Sequence, residues 1–113
     1  MEPTTQPLAP ATFYILFALA GGEKHGYAIM RDARAASDSA FDLGPATLYT
    51  TIQRLLDAGW IEEAASPEGA DSRRRYYGLT TSGNGVLQTE LKRMEAIVKR
   101  SKALRLRPVR SAS

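Results

Sequence analysis

The sequence predicts a mainly helical α+β fold: three helices, a two-stranded hairpin and a long last helix. Three observations predict it. Four segments read as helices from their apolar patterning. Glycine or proline stands at most of their ends. Between the third and the fourth lie two short strand-like runs, separated by SPEGADS, a string of turn formers.

The first helix is expected over residues 8–21, LAPATFYILFALAG. Pro10 suits its first turn, and Gly21 and Gly22 end it. It is apolar on nearly every side and must be buried all round. A chain of 113 residues offers little cover, which points to a subunit interface. The second helix, residues 25–36, turns Tyr27, Ile29, Met30 and Ala33 inward and Arg31, Asp32 and Arg34 to water. Residues 37–44 form a loop anchored by Phe41 and Leu43. Pro45 opens the third helix, PATLYTTIQRLLDAG, and Gly59 closes it.

WIEEA, residues 60–64, is then the outgoing strand, and RRRYYGL, residues 73–79, the returning one. Thr80, Thr81 and Ser82 supply N-cap hydroxyls to a last helix that runs to about residue 106, with Pro108 beyond it. Leu87, Leu91, Met94 and Val98 follow i, i+4, i+7, i+11 spacing, a narrow seam of the coiled-coil type. Residues 1–7 and 108–113 are expected to be disordered ends, around a folded unit at 8–80 and a pairing helix at 81–107.

Composition narrows the function. With 43% hydrophobic and 24% charged residues, the chain has the make-up of a soluble globular domain. It has no cysteine, which removes disulfides, thiol catalysis and cysteine zinc sites and fits a reducing compartment. The start has no basic region and is broken by prolines, unlike a secretion signal. The apolar run at residues 13–20 is too short to span a bilayer. The cytoplasm is the expected location. Net charge is +3, unevenly placed: residues 1–72 carry four basic and ten acidic side chains, residues 73–113 eleven basic and two acidic. That asymmetry suits a polyanionic partner, and equally a solvated basic helix and tail.

At about 100° per residue, Leu48, Tyr49, Ile52, Leu55 and Leu56 share one side of the third helix, and Thr47, Thr50, Arg54 and Asp57 the other. Small hydroxyls and one guanidinium make a face that fits a major groove, where arginine reads guanine. Asp57 would repel phosphate and belongs at the end away from DNA. The same pattern also suits a structural helix with a solvated side. Arg73, Arg74 and Arg75 emerge from the turn; strand alternation would send neighbours to opposite faces, so at least one tracks a phosphate backbone. Tyr76 and Tyr77 anchor the strand, one toward the core and one toward the surface. This is a wing beside a helix-turn-helix, the alternative being a solvated charge run.

Signs of catalysis are lacking. His25 is the single histidine and has no cluster of partners in sequence. The glycines at 21, 22 and 26 lack the lysine–serine pair of a phosphate-binding loop. Glu62 and Glu63 are neighbours on a strand and point apart. No enzyme, metal site or cofactor is expected.

ILFALAGGEKHGYAI (15–29), PATLYTTIQRLLDAGWIEE (45–63) and RRRYYGLTTSG (73–83) together resemble the PadR-like transcriptional regulators in order and spacing. The resemblance implies a winged-helix DNA-binding domain with a C-terminal dimerisation helix, and a homodimer that acts mostly as a repressor. It places Thr47, Tyr49 and Arg54 on the recognition helix, Arg73, Arg74 and Arg75 on the wing, and His25, Gly26 and Tyr27 in the family's HGY motif, near phosphate. Gly44, Pro45 and Ala46 stand where the family usually has serine, a spacer and glycine. Thr50 replaces a frequent proline and adds a hydroxyl to the outward face. The last helix has no tryptophan, so an aromatic sandwich for planar effectors is not expected.

The expected function is therefore sequence-specific binding of double-stranded DNA by a homodimeric regulator, with the alternative of a winged-helix protein adaptor. DNA would be met by Thr47, Tyr49, Thr50, Arg54, Arg73, Arg74, Arg75, Tyr27 and His25. The dimer would pair through Phe13, Phe17, Leu87, Leu91, Met94 and Val98. A small-molecule effector would sit in the cleft lined by Phe13, Phe17, Leu91 and Met94, residues that equally serve as plain interface core.

Overall fold

The computed structural model describes residues 6–67, 69 and 73–107. Four α-helices and three short strands follow one another as α1 (Pro10–Ala20), β1 (Lys24–His25), α2 (Gly26–Ala36), α3 (Pro45–Ala58), β2 (Ile61–Ala64), β3 (Tyr76–Leu79) and α4 (Thr81–Ser101), with a 3-10 turn at Lys102–Leu104. Mainly helical, with a wing: the expected class holds. The expected ends at residues 1–5 and 108–113 lie outside the described residues.

The all-apolar α1 is accommodated by its central place, against α2, α3, β3 and α4. Ile15 and Leu16 are wholly buried, yet Phe17 stays 42% exposed. Full burial of a side chain such as Ile15, Leu16, Ile29, Leu48 or Ile61 contributes about 1.5–3 kcal/mol. The helix begins at Pro10, two residues later than expected, with proline at its first position and Ala9 extended before it. The Lys24 ammonium closes its far end by donating to Ala18 O at 2.6 Å, and pairs with Asp32 at 3.4 Å.

Helix α3 ends as its sequence requires. Gly59 takes φ +76°, and the N–H groups of Gly59 and Trp60 donate to Leu56 O and Leu55 O at 3.1 and 3.0 Å, a Schellman closure. Thr80 caps α4 by accepting from the Gly83 N–H at 3.0 Å, while its hydroxyl donates to Gly59 O at 2.6 Å. One threonine thus ties the start of α4 to the end of α3. Phe41 stacks on Tyr14 at 5.1 Å and Leu43 is buried, so the loop between α2 and α3 is anchored as expected.

Five expectations are corrected. First, the sheet has three strands in the order β1-β3-β2, all antiparallel, where a two-stranded hairpin was expected. The added strand pairs Lys24 with Tyr77 and His25 with Tyr76; two residues carry no periodicity to read. Second, Arg73, Arg74 and Arg75 precede β3, which begins at Tyr76, so strand alternation does not sort them. Third, Tyr27 and Tyr49 do not face inward: they are 64% and 54% exposed, and Thr51 is buried on α3 instead. Fourth, α4 ends at Ser101, and Arg105 at φ +47° turns the chain before residue 106. Fifth, Leu87, expected at the dimer seam, is buried in the core of the chain itself, where α4 packs on α1 and β3.

The inner half of α4 carries one charge. Glu90 is 4% exposed and accepts at Oε1 from Arg93 Nε and Nη2 at 2.8 and 2.6 Å, and at Oε2 from the Leu8 N–H at 2.7 Å. A buried carboxylate persists only when it is paired in this way. Beyond it α4 leaves the core: Ile97 and Val98 are 56% and 57% exposed.

Candidate nucleic-acid interface

Two recesses flank the exposed side of α3. The first, about 370 Å³, lies where the wing meets α2, and is lined by His25, Gly26, Tyr27, Tyr49, Arg73, Arg74, Arg75 and Tyr77. The second, about 330 Å³, is lined by Ala9, Ala11 and Thr12 from the start of α1 and by Ala46, Thr47, Thr50, Thr51 and Arg54 from α3. The residues expected to meet DNA therefore fall into two clusters on neighbouring sides of one helix. Tyr49 belongs to the first, while Thr47, Thr50 and Arg54 belong to the second.

His25 organises the first recess. Its ring caps α2, with Nδ1 accepting from the Ala28 N–H at 3.3 Å. Its Nε2 lies 2.9 Å from Arg74 Nη1. Tyr76 meets the ring edge-on at 5.4 Å, and Tyr27 lies nearly parallel to it at 6.4 Å. Burial holds the imidazole below its ordinary pKa, and the charges of Arg74 and Arg31 push the same way. The ring is therefore neutral near pH 7. Tyr77 is pushed up, by burial first and by the Glu63 carboxylate second, with Arg75 opposing, so its phenol keeps its proton.

Tyr77, expected only as an anchor of the strand, also lines the recess. Gly26, expected near phosphate as part of HGY, lies close under the exposed Tyr49 side chain. A Cβ there would stand 2.7 Å from the Tyr49 hydroxyl. Arg75 reaches Glu63 at 3.3 Å across two exposed side chains, a pair that contributes at most about 1 kcal/mol. Arg73 is exposed in the turn. Three guanidinium groups, a neutral imidazole and phenols make a donor-rich surface that suits an anion backed by flat apolar groups.

The α3 face follows the expected pattern: Thr47, Thr50, Arg54 and Asp57 are all exposed. Asp57 sits in the last turn, away from Thr47, and accepts from Gln53 Nε2 at 3.0 Å. Among the described residues no three of His, Cys, Asp and Glu gather to hold a metal ion. Among those residues, too, no helix is long and apolar enough to cross a membrane.

A second helix of a helix-turn-helix pair with a β finger beside it defines a winged helix. The sequence profile of the transcriptional regulator PadR-like family matches residues 15–89, which is most of the chain. The chain belongs to that family, one of regulators and not of enzymes. An uncharacterised protein X of Lysinibacillus sphaericus is 31% identical over 70 residues, 62% of this chain; the match spans 64% of that relative's length, short of two thirds. A transcriptional regulator from Clostridium thermocellum superposes with a TM-score of 0.67 at 25% identity, over 85% of this chain and 90% of that one. A PadR family regulator from Clostridium difficile gives 0.69 at 24%, over 85% and 98%. Bacillus subtilis PadR, solved in complex with operator DNA, gives 0.65 at 22%, over 96% of this chain and 54% of that one.

Proposed function

We propose that the chain is a homodimeric repressor that binds double-stranded DNA at an inverted repeat in the cytoplasm. One observation carries the reading. Arg73, Arg74, Arg75, His25 and three tyrosines crowd one recess beside the exposed Thr47, Thr50 and Arg54 of α3. The hydroxyls and Arg54 read base edges in the major groove, and the arginines of the wing follow the phosphates.

The pairing surface is the outer half of α4 with α1. Leu91, Val98 and Phe17 expose apolar side chains there, Met94 and Phe13 are half-buried, and Ile97 joins them. Two copies paired along α4 present their α3 helices about one DNA turn apart, ~34 Å. An effector that releases DNA would bind where Phe13, Phe17, Leu91 and Met94 face the second copy.

Footprinting on the DNA upstream of its own coding region tests the reading. Protection of two symmetric half-sites is expected. A chain that leaves heparin at low salt and protects no duplex is instead a protein adaptor.

A further inference from the structure

Both nitrogens of the His25 ring have partners, and the two partners cannot be satisfied together. Nδ1 accepts from the Ala28 N–H at 3.3 Å. Nε2 lies 2.9 Å from Arg74 Nη1, a nitrogen that only donates. A neutral imidazole offers one acceptor and one donor. With Nδ1 bare for the cap, the ring proton sits on Nε2 and faces the guanidinium. With Nε2 bare for Arg74, the proton sits on Nδ1 and faces the Ala28 N–H. The doubly protonated ring sets donor against donor at both ends, with the charges of Arg74 and Arg31 against it. The arrangement is short of one acceptor.

We infer that a phosphodiester oxygen of DNA displaces the exposed Arg74 guanidinium from its 2.9 Å approach to Nε2 and bridges the two groups, accepting from the Nε2–H of the neutral ring and from the guanidinium. This rests on reading the recess as a DNA interface and specifies which groups meet the backbone, and in which protonation state. The helix cap selects the tautomer that leaves Nε2 as donor. From α2, Tyr27 and Arg31 face the ring; from β3, Tyr76; and from the turn before it, Arg74. The two guanidinium charges repel an imidazolium, and with burial they prevail over the weak attraction of the tyrosine faces. An anion is the kind of ligand that imidazole and guanidinium can serve together, and a recess of about 370 Å³ gives it room.

His25→Asn separates cap from donor. Asparagine caps a helix well, but it is too short to present a donor where Nε2 stands. Binding to a mixed-sequence duplex long enough for two half-sites, followed by fluorescence anisotropy across a KCl series near neutral pH, reads the difference. His25→Asn should bind roughly ten-fold more weakly at every salt concentration. Its slope of log K against log salt should match the wild type, because a neutral donor displaces no counterion. Arg74→Gln should flatten that slope by about one ion. Equal affinity of His25→Asn and wild type overturns the inference and leaves His25 a cap alone. A slope loss in His25→Asn equal to that of Arg74→Gln overturns it too, since the ring then binds as imidazolium. Failure of the wild type to bind duplex even in dilute salt sinks the DNA reading itself, a separate result. Nitrogen-15 NMR of the wild-type imidazole does not depend on how the variant folds. An Nε2–H signal that shifts when duplex is added supports the seat, and an Nδ1–H or doubly protonated ring in the complex overturns it.

Discussion

Arg54 and His25 are both expected at the DNA, yet they do different chemistry. Arg54 is exposed on α3 and available to a base edge. Arg54→Ala should lose about 1–3 kcal/mol of discrimination between operator and scrambled duplex, with the melting temperature unchanged. Equal weakening on both duplexes would make it a phosphate contact. His25 also links pH to stability. Its folded pKa lies below the ordinary 6.5, so as pH falls from there the unfolded chain takes up a proton first. The stability that the neutral cap contributes is present above that value and is lost as pH falls through the folded pKa. Thermal melts from neutral to mildly acidic pH should therefore drop more steeply for wild type than for His25→Asn; parallel curves would refute the linkage. Part of this was legible: Thr47, Thr50, Arg54 and Asp57 are exposed on one side of α3 as their spacing predicts, whereas the arginines fall in the turn before β3 and not on the strand. Tyr27 and Tyr49 were misjudged because a helical wheel ranks side chains by apolarity, whereas both rings lie over the recess.

Helices announced themselves by proline, glycine and hydroxyl caps, so their order and near boundaries could be read. The strand at Lys24–His25 could not, because it exists only through its partner Tyr76–Leu79. The charge of Glu90 was equally opaque, since one of its partners is a backbone N–H 82 residues away. Contacts between elements also decide which small residues matter. Gly83 lies in the first turn of α4, where a Cβ would fall on the Trp60 carbonyl oxygen. Because the obstacle is backbone, nothing can swing aside. Gly83→Ala should cost more than about 2 kcal/mol, although alanine is the better helix former. Gly85, with open space at its Cβ, is the control: Gly85→Ala should be neutral or slightly stabilising in the same denaturant titration.

At the scale of the molecule, α4 divides into an inner half held in the core and an outer half with Ile97 and Val98 in solvent. Isolated apolar residues on a surface need no explanation, but a row along one helix does. Val98→Glu should yield monomers by sedimentation at concentrations where the wild type pairs, with unchanged helix content. Its affinity for a two-site duplex should then fall toward that for a half-site. A monomeric wild type would remove the basis for an inverted-repeat operator.

Pairing of His25 with Tyr76 makes the wing and the entrance of α2 one mechanical part. A free hairpin would sweep about its roots and lose that freedom on docking. Here the finger's base is stitched to the helical body, so the orientation of wing to α2 is set by backbone pairing and not by a ligand. Lys24→Pro would cut that stitch, together with the ammonium's bonds to Ala18 O and Asp32, while leaving the arginines and tyrosines of the recess in the chain.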